Sequence, residues 1–196
     1  MHDLISSMTI LRLNHVYHWC VTGIPMDVID NLHDDKHYME MALREAQRAA
    51  DAGEVPTGCV IVHVPANGNR PAVIARAHNQ VETLKDPTAH AEMIAITQAT
   101  SARGDWRLTE TVLYVTKEPC AMCAGAIVLA RIPRLVFGVP DPKRGGAVSV
   151  FNIVQHPDLI HRCDVTAGIE ADACRHILQA FFQERRAATQ SPGART

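Results

Sequence analysis

Two short segments with metal-binding side chains, residues 90–92 (HAE) and 119–123 (PCAMC), constrain the fold of this chain more than any other feature. Each precedes an apolar helical pattern, and cysteines at i and i+3 on a helix point the same way. Cys120 and Cys123 can therefore reach one ion, and the exposed N–H groups at a helix start favour their thiolate forms. A fold that adds His90 makes a Cys₂His site with an open fourth position, the pattern of a catalytic zinc.

Glu92 separates a catalytic from a structural interpretation of this site. Residues two apart on a helix do not share a face, so Glu92 is predicted to be a poor co-ligand beside His90. A carboxylate there can instead accept a proton from water and pass it to a substrate nitrogen. Pro119 is predicted at a first helical position, where its missing N–H costs no hydrogen bond.

Predicted strands and helices alternate around these segments. Strands are predicted at 57–64, 72–77, 111–116 and 134–139, with further extended chain at 147–154. Helices are predicted from Asp35 to Gly53, from Asp86-Pro87-Thr88 to Gly104, over 118–131 and over 169–186, with a loop at 157–164. Strands separated by single helices predict a three-layer α/β/α domain.

The domain is predicted to span residues 35–187. Residues 1–34 have no sustained period and are interpreted as a poorly ordered N-terminal extension or a mis-assigned start, since Met8 and Met26 lie downstream. Residues 188–196 are predicted to be a frayed tail.

Composition excludes several other classes. A hydrophobic fraction of 47% and a charged fraction of 20% argue against disorder, and the net charge of −2 indicates no particular partner. The longest apolar run, residues 124–130, is too short for a spanning helix, and His2 and Asp3 interrupt any signal-peptide core. Six cysteines are too few for a dense disulfide framework. A cytoplasmic protein with no membrane partner is therefore expected.

The pattern H-x-E followed by P-C-x-x-C is the signature of the zinc nucleobase deaminases. The likeness goes further, because residues 54–56 (EVP), 86–92 (DPTAHAE), 119–126 (PCAMCAGA) and 141–143 (DPK) resemble bacterial tRNA-specific adenosine deaminases. His156-Pro157, His161-Arg162 and Phe181-Phe182 continue this resemblance, which covers residues 35–187. It implies a cytidine-deaminase-like α/β/α fold with a central mixed sheet flanked by helices.

The resemblance also implies a function, the hydrolytic conversion of adenosine to inosine at the wobble position of a tRNA anticodon. The enzyme would be a homodimer that binds the anticodon stem-loop across its subunits. His90, Cys120 and Cys123 would hold one Zn²⁺ per subunit, and Glu92 would shuttle protons. Water would attack C6 of the flipped adenine, and ammonia would leave.

The substrate-contact residues implied by the resemblance are less clear-cut. Asn79 matches an asparagine that contacts the target base, Asp141 and Lys143 match a loop near the nucleotide, and Ala91 and Pro119 stand next to the ligands. His156, Arg185 and Arg186 match positions expected to touch the RNA backbone. Arginines near a helix end also interact favourably with the helix dipole, and Lys143 could belong to a solvated loop.

Three residues depart from the family pattern. Thr57 follows Val-Pro where an apolar residue is common, Lys117 replaces the leucine before Glu-Pro-Cys, and Ile160 replaces the asparagine of Asn-His-Arg. All three are predicted near the anticodon-binding groove, where a lysine could add a phosphate contact.

Four alternatives stay open at the level of sequence. A structural zinc would need a fourth ligand from Cys59, His63 or His78. Cys120-x-x-Cys123 could be a redox dithiol, which would leave residues 90–92 unexplained. A free-base or nucleoside deaminase of the guanine or cytidine type shares the zinc signature. A non-catalytic, zinc-stabilised RNA-binding module would have no need of Glu92.

Overall fold

The computed structural model describes residues 35–190, so the predicted N-terminal extension and most of the predicted C-terminal tail lie outside the described part of the chain. The elements in chain order are α1 (Asp35–Asp51), β1 (Gly58–His63), β2 (Ala72–His78), α2 (Val81–Leu84), α3 (Ala91–Arg103), β3 (Thr111–Lys117), α4 (Ala121–Leu129), β4 (Arg134–Val139), β5 (Asp164–Ala167) and α5 (Ala171–Gln190). None of the helices in this range has the length and apolar character needed to cross a membrane.

The five strands of the described chain form one mixed sheet in the order β2-β1-β3-β4-β5. Strand β1 runs antiparallel to both β2 and β3, whereas β3, β4 and β5 are mutually parallel. The parallel connection from β3 to β4 needs a crossover, which α4 supplies. The predicted mixed sheet is confirmed.

The sheet separates two apolar cores, because successive strand residues point to opposite faces. In β1, Cys59 and Ile61 face the core beneath α3 and α4, while Val60 and Val62 face the core beneath α1 and α5. The predicted three-layer α/β/α arrangement is therefore confirmed. Gly58 allows α1 to pack closely, since a Cβ there would lie 2.0 Å from the carbonyl oxygen of Ala42.

Two predicted helix starts are wrong. The Asp86-Pro87-Thr88 segment forms a turn, in which the Asp86 carboxylate accepts hydrogen bonds from the Thr88 N–H at 2.8 Å and hydroxyl at 2.7 Å. This local pairing competes with a helical start, and α3 begins only at Ala91. Likewise Pro119 lies before the N-cap residue Cys120 and is not the first helical residue.

Three other boundaries differ from prediction. Residues 147–154 contain turns and irregular chain, not a strand, because their N–H groups bond to Gly145, Gly146 and Glu118. Strand β5 begins within the predicted 157–164 loop. Helix α5 continues to Gln190, beyond the predicted end at Arg186.

Candidate active site

His90 and Cys120 occupy equivalent places in the fold, since each is the N-cap residue of a helix that lies on the same face of the sheet. His90 precedes α3 with φ −75° and ψ 152°, and Cys120 precedes α4 with φ −70° and ψ 174°. Neither side chain caps its own helix, so the imidazole and the thiol are both available to a ligand. The two helix starts therefore converge on one point.

The three predicted metal ligands meet at that point. His90 Nδ1 lies 3.6 Å from Cys120 Sγ and 3.5 Å from Cys123 Sγ, and the two sulfurs are 3.7 Å apart. A tetrahedral zinc with ordinary bond lengths requires S···S and S···N separations of about 3.8 Å and about 3.5 Å respectively. The donor set therefore fits Zn²⁺ in both chemistry and spacing.

A closed, four-ligand structural site is not formed within residues 35–190. Only His90, Cys120 and Cys123 bring ligand atoms together there. Of the candidate fourth ligands, Cys59 is fully buried in the core, His63 pairs with Glu110, and His78 pairs with Glu45. Among the described residues, none supplies a fourth ligand at this cluster.

The electrostatics of the cluster favour a thiolate at Cys120. Hydrogen bonding from Cys123, reinforced by His90, lowers the pKa of Cys120 to about 3 despite partial burial. A thiolate is the form in which cysteine binds metal.

Glu92 lies beside this cluster, and one of its two carboxylate oxygens, Oε2, has no hydrogen-bond partner among the described residues. Its side chain is buried. Burial raises the pKa of Glu92, and the carboxylate interacts with the thiol of Cys123. Glu92 is not one of the three clustered ligands. It lies in the first turn of α3, two residues after the N-cap residue His90.

A cavity of about 260 Å³ opens beside the ligands. Six of the predicted site residues line it: Asn79, His90, Glu92, Cys120, Asp141 and Arg185. Ala91, Pro119 and Cys123 are buried and do not line it, whereas Lys143, His156 and Arg186 are exposed and do not line it either. The structure therefore brings the predicted metal-binding and proton-transfer groups to one cavity. Of the three residues expected to touch the RNA backbone, only Arg185 lines that cavity.

Comparison with known proteins agrees with this geometry. Residues 32–139 match the family model of the cytidine and deoxycytidylate deaminase zinc-binding region. The chain is 46% identical over 152 residues to a tRNA-specific adenosine deaminase of Bacillus subtilis, covering 78% of this chain and 91% of the relative. It is 50% identical over 151 residues to that of Aquifex aeolicus, covering 77% and 95%.

A solved structure of a tRNA:A34 deaminase, described as performing A-to-I editing at the wobble position of transfer RNA, has the same fold. It matches with a TM-score of 0.66 and 44% identity, over 72% of this chain and 99% of that one. This chain belongs to the tRNA-specific adenosine deaminases. The deaminase family to which it belongs binds zinc, and its three-ligand cluster is that zinc site.

In this deaminase, Asn79 is fixed by the start of α3. Its Oδ1 atom accepts a hydrogen bond from the N–H of Ala91 at 3.0 Å, and its own N–H donates to the carbonyl of Thr57. The side-chain amide nitrogen is thus the group that Asn79 has left to offer to a ligand in the cavity.

Two buried carboxylates that sequence reasoning did not assign build the walls of the cavity. Glu118 accepts hydrogen bonds from the N–H groups of Asp141, Val148 and Ser149, each at 2.8 Å, and from the Ser149 hydroxyl. Glu54 accepts from the N–H groups of Glu82 at 3.1 Å and Thr83 at 2.7 Å. A signal for both was their position one or two residues before a proline, in the Glu-Val-Pro and Glu-Pro-Cys segments.

The three departures from the family pattern have different positions. Thr57 and Lys117 line the cavity, whereas Ile160 is 70% exposed and does not. The Lys117 ammonium lies 2.5 Å from Asp141 Oδ2. Lys117 therefore has an anionic partner within the protein.

Proposed function

We propose that this deaminase converts adenosine to inosine at the wobble position of a tRNA anticodon. The observation that carries the proposal is that the three-ligand cluster, the buried Glu92 carboxylate and Asn79 adjoin one cavity. The names of the relatives and of the matching solved structure support the same substrate class.

His90, Cys120 and Cys123 are the residues that would hold Zn²⁺. Zinc with three protein ligands supplies a nucleophile at neutral pH by lowering the pKa of water to about 7. Glu92 accepts the proton that this activation releases and returns it to a ring or leaving nitrogen of the adenine. Its buried position suits that role, because burial raises its pKa toward neutrality and shields the proton from bulk water.

Asn79 orients the base in this proposal. Its amide nitrogen donates to an acceptor on the purine, while its Oδ1 atom stays bonded to the N–H of Ala91. A wobble adenine in an anticodon loop is already partly unstacked, so drawing it into the cavity requires less energy than flipping a base from a duplex.

The rim of the cavity supports an RNA ligand. Arg144 and Arg185 place two cationic side chains there, and Phe181 and Phe182 add aromatic surface. Cations bind phosphates and aromatic rings stack on unpaired bases, which is the combination that single-stranded RNA requires.

A homodimer with one Zn²⁺ per subunit is part of the proposal, with the anticodon stem-loop bound across the two subunits. One support is the family resemblance. Another is that the apolar side chains of Val148, Val150 and Phe151 are exposed in the segment after Asp141, and exposed apolar patches often mark protein–protein contacts. A cytoplasmic location is proposed because tRNA is the substrate. Light scattering of the purified protein would give a monomer mass if the dimer proposal is wrong.

Residues 35–187 are proposed as the catalytic domain, preceded by an extension over residues 1–34. The start of the family match at residue 32 supports the first boundary. A chain beginning at Met26 is expected to retain zinc and activity. Loss of zinc or of activity would mean that the extension is needed by the active enzyme.

The deciding experiment offers the zinc-loaded protein an anticodon stem-loop with a wobble adenosine, beside free adenosine, cytidine and guanine. Inosine formed only in the stem-loop is the expected result, and a stem-loop with guanosine at the same position is the matched control. Turnover only of a free base or nucleoside would favour the alternative deaminase class. Zinc binding with no turnover of any substrate would favour the non-catalytic module.

A further inference from the structure

Lys117 and Asp141 lie at one edge of the sheet, where two parallel strands end. Lys117 is the last residue of β3 and is paired in register with Val139, the last residue of β4. Asp141 follows two residues later, and its Oδ2 atom lies 2.5 Å from the Lys117 ammonium. Both side chains are largely shielded, with exposed fractions of 21% for Lys117 and 9% for Asp141.

Asp141 organises the turn that follows it. Its Oδ1 atom accepts hydrogen bonds from the N–H groups of Lys143 at 3.1 Å and Arg144 at 3.2 Å, and its carbonyl accepts from Gly145 at 2.8 Å. The N–H of Gly146 then donates to the carbonyl of Pro119 at 2.7 Å. The position of Arg144 therefore depends on Asp141, and the turn is joined to the segment that carries a zinc ligand.

Arg144 competes with Lys117 for the same carboxylate oxygen. Its Nε atom lies 3.7 Å from Asp141 Oδ2, beyond hydrogen-bond distance, and its side chain is 72% exposed at the rim of the cavity. The shorter and more shielded contact belongs to Lys117, which neutralises the carboxylate. The charge of Arg144 is consequently available to an anion from solution.

We propose that Lys117 is a positioning residue that occupies Asp141 and thereby leaves Arg144 free to bind a phosphate of the RNA substrate at the cavity mouth. This inference rests on the proposed function and adds a specific phosphate contact to it. Without Lys117, the guanidinium of Arg144 would move onto the uncompensated Asp141 carboxylate and withdraw from the RNA.

The test measures stem-loop affinity as a function of NaCl concentration in a Glu92→Gln background, which prevents turnover during the titration. Each phosphate contact contributes roughly one to the slope of log affinity against log salt. Lys117→Met and Arg144→Met are each expected to lower that slope by about one. Their combination is expected to lower it by the same amount as either alone, because both remove the one Arg144 contact.

Two further variants test the route through Asp141. Adding Asp141→Asn to Lys117→Met removes the carboxylate charge that captures Arg144 and is expected to restore the slope. Lys117→Arg keeps an ion-pair partner and is expected to keep the slope of the parent protein. Lys36→Met is the matched control, since Lys36 pairs with Glu170 away from the cavity.

Three results would overturn the inference. An unchanged slope for Lys117→Met would show that Lys117 has no influence on RNA contacts. Additive losses in the Lys117→Met, Arg144→Met protein would show that Lys117 binds phosphate itself. If Asp141→Asn fails to restore the slope, the Asp141 carboxylate does not link Lys117 to Arg144. Failure of the proposed function is distinguishable, because the parent protein with intact Glu92 would then form no inosine in the stem-loop.

Discussion

The Oδ1 atom of Asn79 accepts a hydrogen bond from the backbone N–H of Ala91, 3.0 Å away. This bond joins the residue after β2 to the first residue of α3, immediately after the zinc ligand His90. It satisfies one of the N–H groups that a helix start leaves without an intrahelical partner. The same contact fixes the orientation of the Asn79 amide.

Asn79→Asp tests the oxygen and the nitrogen of this amide separately. The carboxylate keeps an acceptor for Ala91 but loses the only donor, so the melting temperature is expected to change little. The value of kcat/KM for the stem-loop is expected to fall about 100-fold, the lower end of the range for removing an enzyme hydrogen-bond donor that stabilises the transition state. A drop in melting temperature with unchanged kcat/KM would reduce Asn79 to a structural role.

Glu92→Gln keeps the shape of the side chain and removes its ability to exchange protons. Inosine formation is expected to fall by about 10² to 10⁴, the range for loss of general acid–base catalysis. Zinc content and thermal stability are expected to be retained, because Glu92 is not among the three clustered ligands. Elemental analysis beside the activity assay checks both, and wild-type turnover in this variant would remove Glu92 from the mechanism.

Cys120→Ser is expected to lose zinc, because a hydroxyl is a much poorer ligand than the thiolate that the site favours. Elemental analysis should give far less than one zinc per chain, with a lower melting temperature. Cys163→Ala is the matched control, since Cys163 is a buried core cysteine outside the ligand cluster. Full zinc retention by Cys120→Ser would contradict the ligand set.

The ligand cluster was predictable because its information is local. The spacing of Cys120 and Cys123 places them on one side of a helix start. His90 was predicted as the third ligand because its imidazole completes a three-ligand zinc site. The start of α3 was mistaken because Asp86 can begin a turn as well as a helix, and only the surrounding chain decides between them. Strand β5 was missed because it is short and presents only one buried position, Thr166.

The residues at the rim of the cavity were harder to predict, because side-chain direction at a surface depends on neighbouring elements. Arg185 and Arg186 are adjacent in sequence, yet only Arg185 lines the cavity. Its spacing of four residues from the cavity-lining Phe181 was a usable signal, and its guanidinium lies 5.5 Å from that ring. The pairing of Lys117 with Asp141 joins two strands and had no signature within either segment.

Arg185→Ala is expected to weaken stem-loop binding more than Arg186→Ala and to flatten its salt dependence by about one unit of slope. The cavity position of Arg185 gives the physical reason, and the exposed Arg186 outside the cavity provides the matched comparison. Titrations at several NaCl concentrations measure both. Equal effects of the two substitutions would mean that general surface charge, and not the cavity rim, binds the RNA.

Glu54 gives the fold a predictable pH dependence. Burial alone would raise its pKa, but hydrogen bonds from Thr83 and Glu82 outweigh burial and hold the pKa below the ordinary 4.5. A carboxyl with a depressed folded-state pKa stabilises the protein above its unfolded pKa. That contribution is lost as the pH falls from about 4.5 through the lower folded-state pKa.

Glu54→Gln is therefore expected to destabilise the protein by about 1–3 kcal/mol at pH 7, because an amide NH₂ cannot accept the hydrogen bonds that both carboxylate oxygens accept. The difference from wild type should shrink below about pH 4.5, because the Glu54 carboxyl of the unfolded wild-type chain takes up a proton there before the folded one does. Urea unfolding at pH 7, 5 and 4 measures it, with the exposed Glu184→Gln as control. A difference that stays constant over this range would mean that Glu54 stabilises the loop through packing and not through its charge.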